Sequence, residues 1–429
     1  MTLKGDSHAQ LSRPMERDLP ALAQQRGSTM SKTIVDILLI LLAVWLAIPC
    51  LVMIVECLAA SPRQNADSSP PTRRPRIVVL VPAHNEEAGI HDTVAALRAS
   101  IDPSDGLLVV ADNCTDRTAD LARAAGAEVV NRVDPQRKGK GYALAFGVEA
   151  LTKNAPEVVV VVDADCRVEE GGIAKLATLS MQSGRPVQAE YRFASPGGFD
   201  VRSAIGTLAL TVRNCVRPRG LHRLGLPCPL TGSGMAFPWQ LLRTMPELGS
   251  NLVEDMVLGI ELGLRGSPPI PCPEVTIKST LPVGARAQMN QRRRWECGHL
   301  DTLRTYGPRL LLVGLRSWRL DLIAMALDLL VPPLALLALL LVGAGVVSAL
   351  HIALGGSMAP LLMLVAATAI LTVAVGTAWN RFARAVLPMW GLASIPLYVV
   401  WKVPLYVAHL LRRKPREWQR TARGGEHLP

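Results

Sequence analysis

Three long stretches without a charged side chain set the strongest limit on how this chain can fold. They cover residues 37–55, 329–350 and 359–380 of the 429-residue sequence. Each is near or above the roughly 20 apolar residues that a helix needs to cross a bilayer core. The first stretch is longer than the apolar region of a signal peptide, and no A-x-A cleavage pattern follows it. We therefore predict an integral membrane protein whose spanning helices lie within residues 33–59, 320–352 and 358–380.

A fourth apolar stretch, residues 385–411, has a different character. Lys402, His409, Pro396 and Pro404 interrupt it. Basic residues flank it on both sides, which favours the same side of the membrane for both of its ends. We expect a re-entrant or interfacial helical segment here in place of a simple crossing.

The net charge of +11 is concentrated beside the apolar stretches. The basic residues form one cluster before the second stretch and one after the last: Arg286, Arg292, Arg293, Arg294, Arg304, Arg309, Arg316 and Arg319, then Arg412, Arg413, Lys414, Arg416 and Arg420. Such clusters favour the cytoplasmic side and bind anionic lipid. They are not interleaved with aromatic residues, which make up 4% of the chain, so nucleic acid is not an expected partner. We predict an inner-membrane protein with the region between the first two spans in the cytoplasm.

The remaining polar regions are two tails and a linker. Residues 1–32 form a polar N-terminal tail, residues 60–75 a linker rich in Pro, Ser and Arg, and residues 412–429 a basic cytoplasmic tail. The eight cysteines show neither a CxxC pair nor zinc-ligand spacing, so reduced thiols are expected.

Residues 76–284 have the pattern of an α/β domain. Apolar runs that read as strands alternate with segments that read as helices: strands at 77–81, 107–111, 128–131 and 158–162, and helices at 86–100, 116–125 and 141–151. This alternation predicts a parallel sheet with helices on both faces. In open α/β sheets, ligands bind beyond the carboxyl ends of the strands.

Polar residues follow these strand ends. Asp163 and Asp165 come after a run of valines, and two carboxylates one residue apart at a turn suit a divalent cation bridging to a pyrophosphate. Solvated loop acids would give the same pattern. Asp112 could accept a hydrogen bond from a nucleobase or ribose, and Thr115 or Asp116 would cap the next helix.

Two further connections between strands and helices are polar. Asn85 either caps the following helix or contacts a ligand. Lys138 and Lys140 alternate with glycines before a helix, where ammonium groups and backbone donors converge on a phosphate; a solvated basic loop is the alternative.

The motif Gln291-Arg292-Arg293-Arg294-Trp295 lies on a stretch, 285–306, with few helix breakers. On a helix, Gln291, Arg294 and Trp295 share a face, so an amide, a guanidinium and an indole are presented together. An interfacial helix with a Trp at headgroup depth would also fit, and Arg292 and Arg293, on other faces, suit contact with lipid.

The ordered set VPAHNEE, DNCTD, RKGKGYA, VDADC, TGSG, VEDM and QRRRW resembles the family 2 inverting glycosyltransferases of the cellulose, hyaluronan and chitin synthase group. The resemblance covers residues 76–300, and the trailing membrane segments extend it to the end of the chain. It implies a GT-A-type, Rossmann-like mixed or parallel sheet domain with flanking transmembrane helices. It also implies transfer of a sugar from a nucleotide-sugar donor to a glycan or lipid-linked acceptor, in extracellular or cell-envelope polysaccharide biosynthesis.

The resemblance further implies a role for each motif. Asp163 and Asp165 would hold Mg²⁺ or Mn²⁺, and Asp255 would be the general base, with Glu254 the second choice and acidic capping of helix 256–264 the alternative. The expected donor-binding residues are Pro82, His84, Asn85, Glu87, Asp112, Asn113, Lys138, Lys140, Asp163, Gln291 and Arg294. The expected acceptor-binding residues are Gly232, Ser233, Gly234 and Trp295, although a plain turn would need the same glycines.

Two other functions compete with this one. A catalytically inert membrane scaffold of a polysaccharide synthesis or export complex needs neither a base nor a metal pair, so the intact motifs disfavour it. A polyprenyl-phosphate glycosyltransferase shares the fold and differs in acceptor; QxxRW and the helices that follow it favour the polymerising group. About three certain spans are few for a translocation channel formed by this chain alone. Subunits of a synthesis or export complex are therefore candidate partners, and processivity stays open.

Overall fold

The computed structural model describes residues 19–62, 73–195, 199–244, 253–282 and 284–411. The predicted basic tail, most of the predicted linker and the first part of the N-terminal tail lie outside these residues. The chain divides into two units, Met1–Ile48 with Leu340–Ala369, and Pro49–Leu339 with Ile370–Pro429. In the first unit, Asp36 accepts a hydrogen bond from the Ser357 amide at 2.9 Å and lies 2.8 Å from His351 Nε2.

The second unit contains a mixed β-sheet. Its eight described strands are β1 Ile77–Ala83, β2 Gly106–Asp112, β3 Glu128–Arg132, β4 Val158–Val161, β5 Cys166–Val168, β6 Val187–Ala194, β7 Met235–Pro238 and β8 Ile270–Thr280. They lie in the order β3-β2-β1-β4-β7-β6-β8-β5. The first four of that order are parallel, whereas β7 runs antiparallel to β4 and β6, and β5 runs antiparallel to β8. The prediction of a parallel region is therefore confirmed for β1 to β4, and the sheet as a whole is mixed.

Helices cover both faces of this sheet, as the alternation predicts. The helices around it are α2 Ile90–Ser100, α3 Thr118–Ala124, α4 Lys140–Leu151, α5 Gly172–Ser183, α6 Val201–Thr211, α7 Arg217–Arg223, α8 Trp239–Leu242 and α9 Glu254–Leu264. Apolar residues of α2, α3 and α5 pack on one face, and those of α4, α8 and α9 on the other. All four residues of β4 are buried, because a central strand with helices on both sides has no solvent-facing side.

Two predicted helix starts differ from the structure, by four residues for α2 and by two residues for α3. The helix predicted from residue 86 begins at Ile90, after a turn in which the Gly89 amide donates to the Glu86 carbonyl. Asn85 therefore does not cap it; Asn85 has a φ of 53° and accepts a hydrogen bond from the Thr115 amide. Helix α3 begins at Thr118 and its N-cap residue is Arg117, in place of the predicted Thr115 or Asp116; the Thr118 amide and hydroxyl donate to Asp116, one residue before the cap.

Long helices follow the sheet. They are α10 Ala285–Arg316, α11 Leu320–Leu330, α12 Leu334–Ala353 and α13 Ala359–Ala378. Helix α1, Leu19–Ala59, precedes the sheet in sequence. The segment predicted as one span, 320–352, comprises two helices, because Pro332 and Pro333 separate α11 from α12. Asp328 of α11 is buried and pairs with Arg217 at 2.6 Å.

Four helical segments of the described chain are long and apolar enough to cross a membrane: Met30–Ala59, Leu334–Ala353, Ala359–Ala383 and Met389–His409. The last is broken at the position where the sequence is least apolar. Helices α14 Ile395–Trp401 and α15 Val403–Leu410 meet at Lys402, which is 2% exposed. Its ammonium donates to Glu296 of α10 at 2.7 Å, and the Tyr406 hydroxyl donates to the same carboxylate at 2.9 Å.

Candidate active site

A cleft of about 210 Å³ lies at the carboxyl ends of β1, β2 and β4. This is the edge where the strand order reverses around β1 and β4, the usual ligand position in such sheets. The N-termini of α4 and α9, the loop before β7, and one face of α10 complete its walls. The lining residues that the sequence predicted are Pro82, His84, Asp112, Lys140, Asp163, Asp165, Gly232, Glu254, Asp255, Gln291, Arg294 and Trp295.

The β2 end of the cleft is held by hydrogen bonds around Asp112. Arg132 donates to its carboxylate at 2.6 Å, and His84 Nδ1 lies 2.6 Å from its carbonyl oxygen. Burial raises the pKa of Asp112 above its usual value, against the opposing effect of Arg132. Asp112 is thus a fixed acceptor with one oxygen already occupied by a guanidinium.

The β4 end presents the two carboxylates of Asp163 and Asp165. Ligand atoms of Asp163, Asp165 and Cys166 lie within 4.8 Å of one another. Burial, with the neighbouring Asp165, raises the pKa of the Cys166 thiol well above its usual value, so the two carboxylates are the anionic groups of this cluster. Hard oxygen ligands of this kind suit Mg²⁺ or Mn²⁺.

Charge in the cleft also fits a divalent cation. The described lining carries six carboxylates, Glu86, Asp112, Asp163, Asp165, Glu254 and Asp255, against three side-chain cations, Lys140, Arg213 and Arg294. Lys140 donates to the Asp163 carboxylate and, at 2.5 Å, to the Gly232 carbonyl. Burial lowers the pKa of Lys140, but attraction by Asp163, Glu254 and Asp255 outweighs it and raises the pKa above its usual value. An ammonium therefore already neutralises part of the acidic cluster.

The loop before β7 lies between the Asp163 and Asp165 carboxylates and Asp255, the predicted general base. A Cβ at Gly232, whose φ is +96°, would lie 3.1 Å from Asp255 Oδ2. Ser233 is fully buried, and its hydroxyl accepts from the Asp163 amide at 3.0 Å. Gly234 has a φ of +69°, and a Cβ there would lie 2.4 Å from Ile277 Cγ1. Ser233 and Gly234 thus support the loop from behind and do not line the cleft.

Glu254 and Asp255 are the first two residues of α9, which begins two positions earlier than the predicted helix. Both line the cleft. Burial, with the adjacent Asp255, raises the pKa of Glu254 to about 7. A carboxyl with a pKa raised in this way, lying in a cleft, is a candidate acid or base.

Helix α10 presents Gln291, Arg294 and Trp295 to the cleft, as the shared-face prediction requires. The Trp295 ring lies 5.3 Å from that of Phe193, which lies 4.4 Å from that of Tyr191. The prediction that Arg292 contacts lipid is wrong, because Arg292 is 8% exposed and packs against Gly206 of α6, where it donates to the Ser203 carbonyl.

Four predicted donor-binding residues lie away from the cleft lining. Asn85 and Glu87 bind the loop before α3, through the Thr115 and Arg117 amides. Asn113, with a φ of 50°, accepts from the Asp134 amide. Lys138 is exposed. The polar side chains of the first three form hydrogen bonds within the loops around Asp112.

Several lining residues were not predicted. Tyr191 and Phe193 are two residues apart in β6 and therefore share one face of the strand. This spacing of two aromatic residues is visible in the sequence. Arg213 and Asn214 lie on a π-helical turn, Val212–Val216, between α6 and α7. Such a turn has no sequence signature in the helical pattern around it.

The comparisons with known proteins identify the domain. The family described as glycosyltransferase-like family 2 matches residues 75–298. The chain belongs to this family. The prediction of a family 2 glycosyltransferase domain is thereby confirmed, whereas the cellulose, hyaluronan and chitin synthase group stays a prediction.

The chain is similar to proteins that are named as glycosyltransferases. The chain is 33% identical over 107 residues to the low-salt glycan biosynthesis hexosyltransferase Agl6 of Haloferax volcanii, covering 24% of each chain. It is 23% identical over 256 residues to glucomannan 4-beta-mannosyltransferase 7 of Arabidopsis thaliana, covering 55% of this chain and 45% of the relative. The chain spans less than half the length of these relatives. The mannosyltransferase PcManGT of Pyrobaculum calidifontis, solved with GDP-Man and Mn²⁺, aligns over 90% of this chain and 99% of its own at 18% identity, with a TM-score of 0.48.

The fold prediction is confirmed. The described domain is a mixed sheet of GT-A type with helices on both faces and apolar helices in the flanking sequence. Asp163 and Asp165, the two α9 acids and the QxxRW face meet in one cleft.

Proposed function

We propose that this protein is a membrane-bound inverting glycosyltransferase that moves a sugar from a nucleotide-sugar donor to a glycan or lipid-linked acceptor. The observation that carries the proposal is the convergence of Asp163, Asp165, Asp255, Lys140 and Arg294 on one cleft. Relatives named as a hexosyltransferase and a mannosyltransferase support the donor class. In this proposal the apolar helices anchor the enzyme in the inner membrane, the domain faces the cytoplasm, and the product enters an extracellular or cell-envelope polysaccharide.

The donor would bind along the strand ends. Asp112, at the β2 end, would contact the nucleoside. Lys140 and Arg294 would donate hydrogen bonds to the diphosphate. Asp163 and Asp165 would hold Mg²⁺ or Mn²⁺, which when bound neutralises charge on the leaving diphosphate.

The chemistry then requires one base. Asp255 accepts the proton of the acceptor hydroxyl, and the acceptor oxygen forms a bond to the anomeric carbon. The bond from that carbon to the diphosphate oxygen breaks on the opposite face, and its electron pair leaves with the nucleoside diphosphate. The new glycosidic bond has the inverted configuration. Glu254 is the second candidate for the base.

A donor panel tests the proposal. The detergent-solubilised protein is incubated with labelled sugar nucleotides and Mg²⁺ or Mn²⁺, and released nucleoside diphosphate is measured. We expect metal-dependent release from one donor class, and its loss in an Asp165→Asn variant that still inserts into membranes. Asp120→Asn, on the exposed surface of α3, is the matched control and should retain release.

The competing functions give different outcomes in the same assay. An inert scaffold releases no nucleoside diphosphate from any donor. A polyprenyl-phosphate glycosyltransferase is stimulated by a short polyprenyl phosphate and not by saccharides. The predicted topology is tested separately, by labelling single cysteines placed in the sheet domain and in the loop between α12 and α13 from each side of sealed vesicles.

A further inference from the structure

Polar side chains in and around the cleft differ in their hydrogen-bond partners. At the strand ends they bind one another: Arg132 with Asp112 at 2.6 Å, Ser279 with Asp165 at 2.8 Å, and Lys140 with Asp163. Five other lining side chains make no hydrogen bond to any residue that the structure describes. They are Arg213, Asn214, Gln291, Arg294 and, for its hydroxyl, Thr231.

Asn214 is the most informative of the five. It is 6% exposed, and its Oδ1 atom has no partner among the described residues. A buried polar group left unpaired costs about 1–3 kcal/mol, so native proteins keep few of them. The π-helical turn Val212–Val216 turns both Asn214 and its neighbour Arg213 to the cleft, and such turns are frequent at functional sites. The cost of this turn and of the unpaired amide indicates that a ligand completes the site.

The chemistry of the unpaired atoms selects the ligand class. Asn214 Oδ1 and Gln291 Oε1 can only accept hydrogen bonds, so they require a ligand that donates, whereas the Thr231 hydroxyl can donate or accept. A phosphate diester or an ionised phosphate has acceptors and essentially no donors. A sugar hydroxyl both donates and accepts, and it also satisfies the guanidinium of Arg213.

Two neighbouring features agree with a sugar. Tyr191, Phe193 and Trp295 form a row of rings along the same wall, and aromatic faces pack on the apolar faces of pyranose rings. Thr231 precedes Gly232, whose Cβ position would lie 3.1 Å from Asp255 Oδ2. A sugar bound beside Thr231 therefore presents a hydroxyl to the proposed base.

We propose that Arg213 and Asn214, with Thr231 and Gln291, form the subsite for the acceptor, and that the acceptor is a saccharide bearing its attacking hydroxyl on the sugar held there. The inference rests on the proposed function and deepens it. It favours a glycan end over a bare lipid phosphate as the group that is glycosylated.

The test replaces Asn214 by Leu, which has a similar volume and no polar atom. The probes are methyl β-mannopyranoside, mannobiose, cellobiose and farnesyl phosphate, added to the full-length protein in detergent with Mn²⁺ and the active donor. We expect a saccharide to stimulate nucleoside diphosphate release, and Asn214→Leu to raise its half-saturating concentration by about tenfold, while the donor KM changes by less than about twofold. Thr231→Val should shift it in the same direction and serves if Asn214→Leu does not fold.

A matched control lies on the same helical segment. The hydroxyl of Thr211 donates to the Thr207 carbonyl at 2.9 Å and does not line the cleft, so Thr211→Val should leave the saccharide dependence unchanged. Stimulation by farnesyl phosphate alone, or an equal rise in donor KM and saccharide requirement, overturns the inference.

Direct binding separates this inference from the proposed function. Saturation-transfer difference NMR of the same saccharides, with Mn²⁺ replaced by Mg²⁺ and a nucleoside diphosphate present, reports binding without turnover. Absence of release from every donor ends the proposed function, while saccharide signals lost in Asn214→Leu still support the subsite. Donor turnover without any saccharide signal leaves the function standing and ends the subsite.

Discussion

Replacement of Lys140 by Met should destabilise the protein in a way that a divalent cation reverses. The Lys140 ammonium binds the Asp163 carboxylate and the Gly232 carbonyl, and Glu254 and Asp255 add to the attraction. Met keeps most of the length of the side chain and removes its charge. The acids of the cleft would then face one another without their nearest cation.

The expected loss is about 2–3 kcal/mol. A hydrogen bond to a charged group contributes about 1.5–3 kcal/mol, and removing one partner of a buried ion pair costs about 3–5 kcal/mol. The side chains of Lys140 and Asp163 are 17% and 26% exposed, so solvent screens the pair and the lower values apply. At about 2–4 °C per kcal/mol for a domain of this size, Tm should fall by roughly 4–12 °C.

Scanning fluorimetry of the detergent-solubilised protein measures this loss, first in EDTA and then with Mn²⁺. We expect Mn²⁺ to recover at least about half of the difference between variant and wild type, because a cation bound to Asp163 replaces the missing ammonium. Lys138→Met, at the exposed position two residues earlier, is the control and should change Tm by no more than about 1–2 °C. An equal fall in EDTA and in Mn²⁺, or no fall at all, would refute the reasoning.

Four further changes test the site. Asp255→Asn should lower kcat by about 10²–10⁴-fold with little change in donor KM, as measured by initial rates; a loss of donor affinity instead would assign Asp255 to binding. Glu254 has its pKa raised from 4.5 to about 7, so wild type loses stability as pH rises through that interval, and Glu254→Gln should be more stable than wild type by about 1–3 kcal/mol near pH 8 and not near pH 5; thermal melts in EDTA that show the same difference at both pH values contradict this. Gly232→Ala should cost about 1–2 kcal/mol in stability from its positive φ, and kcat should also fall because the new methyl group displaces Asp255; a normal kcat would place that carboxylate outside the reaction. Trp295→Ala should raise the acceptor requirement more than the donor requirement in two-substrate kinetics, and the reverse order would move the indole to the donor side.

Short sequence patterns correctly predicted strands β1 to β4, the polar edge of the sheet and the shared face of the QxxRW helix. The run of valines in β4 and the polar residues after β1, β2 and β4 specified a sheet with a ligand edge, and the spacing of QxxRW specified a shared helix face. Pro332 and Pro333 were visible signals of a helix break, and the prediction of one span there overlooked them.

The errors arose where distant residues decide the outcome. Asn85 has the composition of a helix cap, but its side chain binds the loop of the neighbouring strand, 30 residues away in sequence. Arg292 is on the face of α10 that meets Gly206, and the absence of a side chain there admits the guanidinium. The position of Arg213 and Asn214 depends on one widened helical turn, which the surrounding residue types do not encode.

The ion pair between Lys402 and Glu296 joins the carboxyl-terminal apolar segment to the residue that follows Trp295. A shift of that segment is therefore transmitted to the indole across one peptide unit. In the proposed membrane-bound enzyme, bilayer thickness and headgroup packing would act on this segment, so the surrounding lipid would be one of the variables that set the position of Trp295 in the cleft.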